Sequence, residues 1–394
     1  MNFILFDDNR RNNLRPLTFM RPIADIRIGI LTIRQKWEHY LGTSTSTLTE
    51  KYLIPKFPIL KKPDNILING AVCPTKELLS AIMALKPNQA LVRKENVVAM
   101  RLTEEALQTG SESYSKSVEE VETELDFIEI INTWDIFTLN EKAITDDFAL
   151  LTTGRKSQKL STTNRIAGDA IFIEEGAHVE FATLNTTTGP IYIGKDAEVM
   201  EGAMLRGPLA ICEHSTVKMG AKIYGATTIG PHSKVGGEIA NSVIFGYSNK
   251  AHDGFMGNSV LAEWCNIGAD SNTSNLKNTY DTIRIWNYAE QTFVDTGLQF
   301  CGLIMGDHSK CGINTMFNTG SVVGVSCNVF GPGYQRNFIS SFQWGGTAGF
   351  APFDVKRAIK VATTVYSRRS LQFSQIDKDI FETVFDLTHN FRQL

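Results

Sequence analysis

The chain has 394 residues, of which 42% are hydrophobic and 21% charged, and its formal net charge at pH 7 is −3. This length is enough for two domains that each bury a core. The near balance of charges excludes a basic surface for nucleic acid, and no apolar run approaches the roughly 20 residues that span a bilayer. We therefore expect a cytoplasmic protein without nucleic-acid or membrane partners. The six cysteines have no CxxC spacing, so a structural zinc site is not expected.

The first 153 residues alternate predicted strands and helices. The apolar run Phe3–Phe6 ends at Asp7 and Asp8, as a buried strand with acidic residues at its carboxyl end would. Further strands are predicted over 66–68 and 97–100, and helices over 23–41 and 75–85. This alternation predicts an open α/β sheet over residues 1–153, with its ligand site at the carboxyl ends of the strands. The acidic stretch 104–124 is predicted to be an exposed excursion.

One motif in this domain resembles a known family. Leu14-Arg15-Pro16-Leu17-Thr18 followed by Arg21-Pro22 is similar to the nucleotide-binding opening of sugar-1-phosphate nucleotidyltransferases. The resemblance implies that Arg11, Arg15 and Arg21 bind a nucleotide, and that Asp7 and Asp8 are candidates for a metal site.

The motif also departs from the family pattern. The family places glycines where this chain has residues 9–13, so that backbone N–H groups can approach phosphates. The family's metal-binding Asp falls on Ala71. Because Mg²⁺ prefers carboxylate oxygens, the metal is expected only if the domain is active.

Aliphatic residues recur at every sixth position in the second half of the chain. The first run is Ile193, Val199, Leu205, Ile211, Val217, Ile223, Ile229 and Val235. The second run is Met305, Cys311, Phe317, Val323 and Val329. A period of six fits neither an α-helix nor one long strand, but it fits a parallel β-helix in which three hexads complete one coil. We assign residues 154–350 to this β-helix and 351–394 to a C-terminal helical segment.

The stretch between the two runs, 236–278, has looser spacing and many polar residues. His252 lies beside Lys250 and Asp253, and Asn266 and Asn275 follow. Irregular coils of a solenoid are free to serve chemistry instead of stacking. A neutral His can take a proton from an amine that attacks a thioester, while Asn orients hydroxyls and Lys meets a phosphate. The pattern thus favours acyl transfer to an amine.

This stretch resembles a second family. Asn249-Lys250-Ala251-His252-Asp253-Gly254-Phe255, Asn266-Ile267-Gly268-Ala269 and Ser274-Asn275-Leu276-Lys277 are similar to motifs of the bifunctional N-acetylglucosamine-1-phosphate uridyltransferase and glucosamine-1-phosphate N-acetyltransferase family. The short α/β region resembles a shortened branch of it. The resemblance implies a left-handed β-helix, a homotrimer, acetyl-CoA as co-substrate and a role in UDP-N-acetylglucosamine biosynthesis. His252 then corresponds to the general base. The implied substrate-binding residues are Glu238, Lys250, Phe255, Asn266, Asn275 and Lys277.

Three functions remain open from the sequence. The first is an acetyl-CoA-dependent N-acetyltransferase for an amino-sugar 1-phosphate such as glucosamine 1-phosphate, coupled to sugar-nucleotide synthesis. The second is a sugar-1-phosphate nucleotidyltransferase whose β-helix is structural or regulatory. The third is a scaffold without catalysis, in which His252 is merely a turn residue.

Other polar residues of this half have simpler interpretations. His178, His214, His232 and His308 are predicted to be surface residues of hexad turns. Arg368 and Arg369 follow a predicted helix and either contact coenzyme A phosphates or end that helix in solvent. Ser374 and Asp377 predict a capping box at the start of a last helix.

Overall fold

A computed structural model describes residues 1–108 and 118–393, and the chain packs into two compact units. The first unit comprises Met1–Leu14, Arg21–Ile26 and Leu31–Ile131. The second comprises Arg15–Met20, Arg27–Ile30 and Asn132–Leu394. The first unit is therefore smaller than the predicted domain over residues 1–153. Within the described ranges, no helix is both long and apolar enough to cross a membrane.

The first unit is built on one mixed six-stranded sheet. Its strands are β1 (Asn2–Phe6), β2 (Ser46–Leu48), β3 (Asp64–Asn69), β4 (Gln89–Arg93), β5 (Asn96–Thr103) and β6 (Glu119–Glu122), in the order β2-β1-β3-β5-β4-β6. Its helices are α1 (Arg10–Asn13), α2 (Ile33–Leu41), α3 (Lys76–Met83) and α4 (Glu104–Gln108), with a 3₁₀ turn at Ile23–Asp25. Strands β2, β1 and β3 are parallel, whereas β5 runs antiparallel to β3 and β4. The predicted α/β class is confirmed.

The acidic stretch 104–124 contains more structure than the sequence predicts. It includes the short helix α4 and the edge strand β6, whose residues are all exposed. The rest of that prediction, over residues 109–117, lies outside the described residues.

The second unit is a three-sided parallel β-helix. Face 1 consists of β7 (Arg165–Ala167), β10 (Thr183–Asn185), β13 (Met204–Arg206), β16 (Lys222–Tyr224), β19 (Glu238–Ala240), β22 (Phe255–Gly257), β24 (Asn272–Thr273) and β29 (Met316–Phe317). Face 2 consists of β8 (Ile171–Ile173), β11 (Ile191–Ile193), β14 (Leu209–Ile211), β17 (Thr227–Ile229), β20 (Val243–Ile244), β23 (Val260–Leu261), β27 (Leu303–Met305), β30 (Ser321–Val323) and β32 (Phe338–Ile339). Face 3 consists of β9 (His178–Val179), β12 (Glu198–Val199), β15 (Thr216–Val217), β18 (Lys234–Val235), β21 (Asn249–Lys250), β28 (Lys310–Cys311), β31 (Asn328–Val329), β33 (Gln343–Gly346) and β34 (Gly349–Pro352).

The six-residue ladder forms the axial core, as predicted. Every member of both runs lies in one buried hydrophobic cluster. Successive coils pair in register, with Val199 beside Val217 and Val217 beside Val235 on face 3. Each inward side chain therefore stacks on its counterpart in the next coil, and the predicted β-helix is confirmed.

The ladder does not stop at residue 235, contrary to the sequence analysis. Ile239, Ile244, Met256, Leu261 and Ile267 continue the same buried cluster. The period is lost because two successive corners are short: only Gly236 and Gly237 separate β18 from β19, and Ile244 follows Ile239 by five residues instead of six. The real interruption comes later, where the antiparallel strands β25 (Arg284–Asn287) and β26 (Thr292–Asp295) form a hairpin before the coil resumes at β27.

Four further helices pack within the second unit. They are α5 (Asp135–Thr138), α6 (Asn140–Thr152), α7 (Val355–Ser367) and α8 (Gln375–Leu387), with a 3₁₀ turn at Asn390–Gln393. Helix α6 is not a free connector, because the Asn140 side chain donates to the Ala226 carbonyl at 2.8 Å. The capping box predicted at Ser374 and Asp377 is present at the start of α8.

Candidate functional site

A cleft of about 750 Å³ lies on face 3 of the β-helix, beside the end of α7. Its lining residues are Lys234, Tyr247, Asn249, Ala251, His252, Trp264, Cys265, Asn266, Ile267, Gly268, Ala269, Lys310, Ile313, Val365, Arg368 and Arg369. Its size falls within the range of small-molecule sites. Two of the predicted site residues, His252 and Asn266, therefore share one cleft, and both are exposed.

His252 sits on the corner 251–254, where face 3 turns into face 1. The corner stacks tightly on the preceding coil, since a Cβ at Gly237 would come within 2.9 Å of the His252 carbonyl oxygen. Gly254, with a φ of +109°, closes the turn. Across residues 1–108 and 118–393, no hydrogen bond or ion pair involves the His252 ring, so both ring nitrogens are available to a ligand.

Lys250 does not lie in the cleft, which corrects its prediction as a substrate-binding residue. It occupies an inward position of the ladder, in register with Val235, and only 1% of its surface is exposed. Its ammonium donates to the carbonyls of Gly236 at 3.3 Å, His252 at 2.5 Å and Asp253 at 3.1 Å. A substrate phosphate therefore cannot reach this charge without opening the core.

The other cationic side chains of the cleft are Lys234, Lys310, Arg368 and Arg369. Lys310 donates to the His308 carbonyl at 2.7 Å, and burial lowers the pKa of its ammonium to about 8. Arg369 donates to the His232 carbonyl at 3.3 Å. Lys234 and Lys310 were not predicted from the sequence. Their strands, β18 and β28, lie far apart in the chain and reach the same cleft only because the coils stack.

A column of stacked rings holds α7 beside the cleft. His214, His232, Tyr247 and Trp264 stack in that order, with ring centroids 4.8, 4.7 and 4.3 Å apart, and Trp264 stacks on Tyr366 of α7 at 4.1 Å. The first four of these residues occupy successive corners of the β-helix and have positive φ. The pKa of the His232 imidazole is lowered, mainly because the ring is partly buried. Arg368 and Arg369 lie two and three residues after Tyr366, so the column positions them.

His308 also belongs to this corner, which corrects its prediction as a surface residue. Only 4% of it is exposed, because its ring packs between Trp264, Tyr366 and Phe381.

The remaining predicted substrate residues lie outside the cleft. Glu238 and Phe255 are paired neighbours on face 1, and Glu238 accepts a hydrogen bond from the Tyr224 hydroxyl at 2.7 Å. Asn275 donates to the Asn258 side chain at 2.9 Å, and Lys277 donates to the Thr282 carbonyl at 2.7 Å. The structure therefore divides the predicted set between the cleft, face 1 and the turn beyond β24.

The first unit has its own pocket, of about 520 Å³, at the end of β1. Asp7, Asp8, Arg11, Thr49 and Glu50 are among its lining residues. This is the strand edge at which the sequence predicts a ligand site.

The carboxylates at this pocket are already paired. Asp7 accepts from Arg11 at 2.8 Å and from the Ile23 amide at 2.8 Å, and burial raises its pKa. Asp8 accepts from Arg10 at 2.7 Å and from the Asn69 side chain at 2.8 Å. Among the described residues, no group of three or more His, Cys, Asp or Glu side chains is placed to hold a metal ion. The pair does not fit the predicted metal site.

The predicted nucleotide-binding arginines are also placed differently. Arg11 and Arg21 are buried, and Arg11 donates to the Arg21 carbonyl at 2.9 Å. Arg15 packs in the second unit, with its guanidinium 5.2 Å from the Phe19 ring centroid. Arg11 and Arg21 therefore pack within the first unit, and Arg15 packs within the second.

Comparison with known proteins agrees with the resemblance found in the sequence. Residues 3–156 match the model of a family described as sugar nucleotidyl transferase. The bifunctional protein GlmU of Methanocaldococcus jannaschii is 26% identical over 139 residues, which is 35% of this chain and 28% of that protein. The match thus spans less than a third of this relative. The predicted resemblance is confirmed, and these matches support a transferase.

Solved structures of UDP-N-acetylglucosamine acyltransferases are also similar to parts of the chain. Those from Francisella novicida and Campylobacter jejuni share 11% and 16% identity and each cover 58% of this chain. The matched regions span 88% and 96% of those two chains, with TM-scores of 0.20 and 0.19. The β-helix of this chain is established by its own strand pairing.

Proposed function

We propose that this protein is an acetyl-CoA-dependent N-acetyltransferase that acts on an amino-sugar 1-phosphate such as glucosamine 1-phosphate. The observation that carries the proposal is the cleft on face 3, which is lined by several cationic side chains and by an exposed imidazole that has no partner among the described residues. A thioester co-substrate that carries phosphates suits this combination, because the cations can hold the phosphates while the imidazole accepts a proton.

The proposed reaction is direct transfer between the thioester and the amine. The sugar nitrogen forms a bond to the acetyl carbon, the carbon–sulfur bond breaks, and coenzyme A leaves as the thiol. His252 takes the proton that the attacking nitrogen loses, which is the role of a general base. Arg368, Arg369 and Lys310 bind phosphate groups of coenzyme A.

The corner position of His252 suggests where each substrate lies. In this coil, the face 3 strand β21 ends just before His252, and the face 1 strand β22 begins just after it, at Phe255. We place acetyl-CoA on the face 3 side, in the cleft. The sugar then lies on the face 1 side, where Glu238 and Phe255 are paired. Asn275 and Lys277 would meet the sugar only through the homotrimer that the family resemblance implies.

The test is thiol release from acetyl-CoA in the presence of glucosamine 1-phosphate, with His252→Asn compared with the wild type. Since a general base contributes about 10²–10⁴-fold, kcat should fall by at least about 100-fold. His178→Asn is the matched control, because His178 is also an exposed histidine of face 3 but does not line the cleft. Equal rates for His252→Asn and the wild type would refute the role of His252.

The family match supports a second candidate, a sugar-1-phosphate nucleotidyltransferase. This activity would release pyrophosphate from UTP and a sugar 1-phosphate, and it should survive His252→Asn. The pairing of Asp7 and Asp8 with arginines argues against a Mg²⁺ site built on them. A pyrophosphate assay with and without Mg²⁺ separates the two candidates, and a protein that passes neither assay is the non-catalytic scaffold.

A further inference from the structure

Lys250 is a charged residue at a core position of the β-helix. In the preceding coil the paired position is Val235, and the following coil continues the core with Ile267. A lysine at such a position pays a desolvation cost unless its ammonium is hydrogen-bonded. The structure supplies those hydrogen bonds from three backbone carbonyls.

The three carbonyls come from two adjacent coils. Gly236 belongs to the short corner before β19, whereas His252 and Asp253 belong to the next corner, 251–254. The corner of the preceding coil has only two residues, Gly236 and Gly237, whereas the corner 251–254 that stacks on it has four. The longer corner is therefore supported by fewer residues of the coil below. The Lys250 ammonium therefore ties the longer corner to the coil below.

From this geometry we propose that Lys250 is a positioning residue for His252, holding the corner 251–254 so that the imidazole points into the cleft. The inference rests on the proposed function of His252. Lys250 itself does not touch substrate, because its side chain lies inside the core. Its contact is with the His252 carbonyl, and its effect on the reaction passes through the backbone of that residue.

The charge state of Lys250 adds a second consequence. Burial lowers the pKa of its ammonium to about 8, and the carboxylates of Asp253 and Asp270 oppose this shift. The Cys311 thiol also interacts with Lys250, but burial raises the pKa of this thiol and keeps it neutral at this pH. An ammonium has three N–H donors and a neutral amine has two, so deprotonation removes one of the three carbonyl contacts. We expect kcat to fall as the pH rises through about 8, on top of any change caused by the substrates.

The experiment compares Lys250→Met with the wild type, and Ile229→Met is the matched control, because Ile229 is buried in the same ladder but does not line the cleft. Lys250→Met should lower kcat at least tenfold, leave the KM for acetyl-CoA within twofold, and remove the alkaline fall in kcat. Ile229→Met should keep both the rate and the alkaline fall. An unchanged kcat in Lys250→Met, or a persisting alkaline fall, overturns the inference.

A readout independent of activity separates this inference from the proposed function. Selective ¹³C labelling of the seven histidines gives one ring signal each, and His252→Asn identifies the signal of His252. Lys250→Met should shift or broaden that signal and leave the His178 signal unchanged. If the signal moves but wild-type protein transfers no acetyl group, the proposed function fails and the positioning role stands. If the signal does not move, the positioning role fails.

If Lys250→Met does not fold, the wild-type pH profile still decides. Absence of a fall in kcat between pH 7.5 and 9 contradicts the role of the ammonium.

Discussion

The two pockets of the molecule use charge in opposite ways. At the end of β1, the carboxylates of Asp7 and Asp8 accept hydrogen bonds from Arg11 and Arg10, so both have a cationic partner within the protein. In the cleft on face 3, the imidazole of His252 has no partner among the described residues. The first arrangement stabilises a fold, whereas the second leaves a group free for a ligand. Charged residues at a predicted strand edge are therefore weak evidence for a site until their partners are known.

The same contrast holds for buried lysine and arginine. Arg11 is buried against carboxylate Asp7, whereas Lys250 is buried against carbonyl oxygens alone. An ion pair fixes both charges, but carbonyls leave the lysine able to lose its proton. Four changes test this comparison, in order of decreasing effect.

The largest effect should come from Arg11→Met. This change leaves the buried carboxylate of Asp7 without its cation, which costs about 3–5 kcal/mol in comparable buried pairs. The free energy of opening, measured by hydrogen exchange of the β1 amides in the full chain, should fall by that amount. A loss below about 1 kcal/mol would show that the pair is dispensable and that the contrast between the pockets is wrong.

The second effect is a pH dependence of stability that comes from Lys250. Its folded pKa of about 8 lies below its usual 10.5, so between these values the unfolded chain binds a proton that the folded chain has lost. Stability should therefore rise with pH across this window, by about 3 kcal/mol in total, and the gain is lost as the pH falls through 8. Urea unfolding of the wild type and Lys250→Met at pH 7 and 10 measures the difference. Lys310 is present in both proteins and cancels.

The third effect concerns binding instead of stability. If Arg368 and Arg369 hold coenzyme A phosphates, changing both to Gln should weaken acetyl-CoA binding at least tenfold, since a hydrogen bond to a charged group is worth about 1.5–3 kcal/mol. Isothermal titration calorimetry gives the Kd. Arg165→Gln is the control, because Arg165 is exposed on face 1 and does not line the cleft. An unchanged Kd for the double variant would place the co-substrate elsewhere.

The smallest effect should come from Lys142→Met on α6. Lys142 and Asp146 form an exposed pair at 3.3 Å, one helical turn apart. Such pairs contribute about 0.3–0.5 kcal/mol, so urea unfolding should barely change. A loss comparable to that of Arg11→Met would remove the distinction between buried and exposed pairs on which the comparison depends.

Much of the fold could be predicted from the sequence because the β-helix repeats. The inward position recurs every six residues from Ile193 to Val235, and this spacing alone predicts parallel coils. The prediction failed just where a corner lost two residues, at Gly236 and Gly237. Beyond that point a count by sixes no longer lands on the core, so the inward position of Lys250 was not recognised and it was predicted to bind substrate.

The candidate site was harder to predict because its contacts are distant in the chain. His252 and Asn266 are close in sequence and were both predicted. Lys310 reaches the cleft only because it pairs with Asn266 in the stacked coil, although the β25–β26 hairpin separates the two residues in the chain. In the first unit, Arg10 bonds to Glu129, a partner 119 positions away that no local pattern reveals. Spacing predicts which side chains point outward, but not which of them find a partner.

The column of rings gives the molecule an internal optical probe. Trp264 stacks on Tyr247 from its own corner and on Tyr366 from α7. Its indole emission therefore depends on whether α7 is packed against the column, and Arg368 and Arg369 directly follow the end of that helix. Ligand entry and helix undocking can thus be followed by fluorescence without attaching a dye.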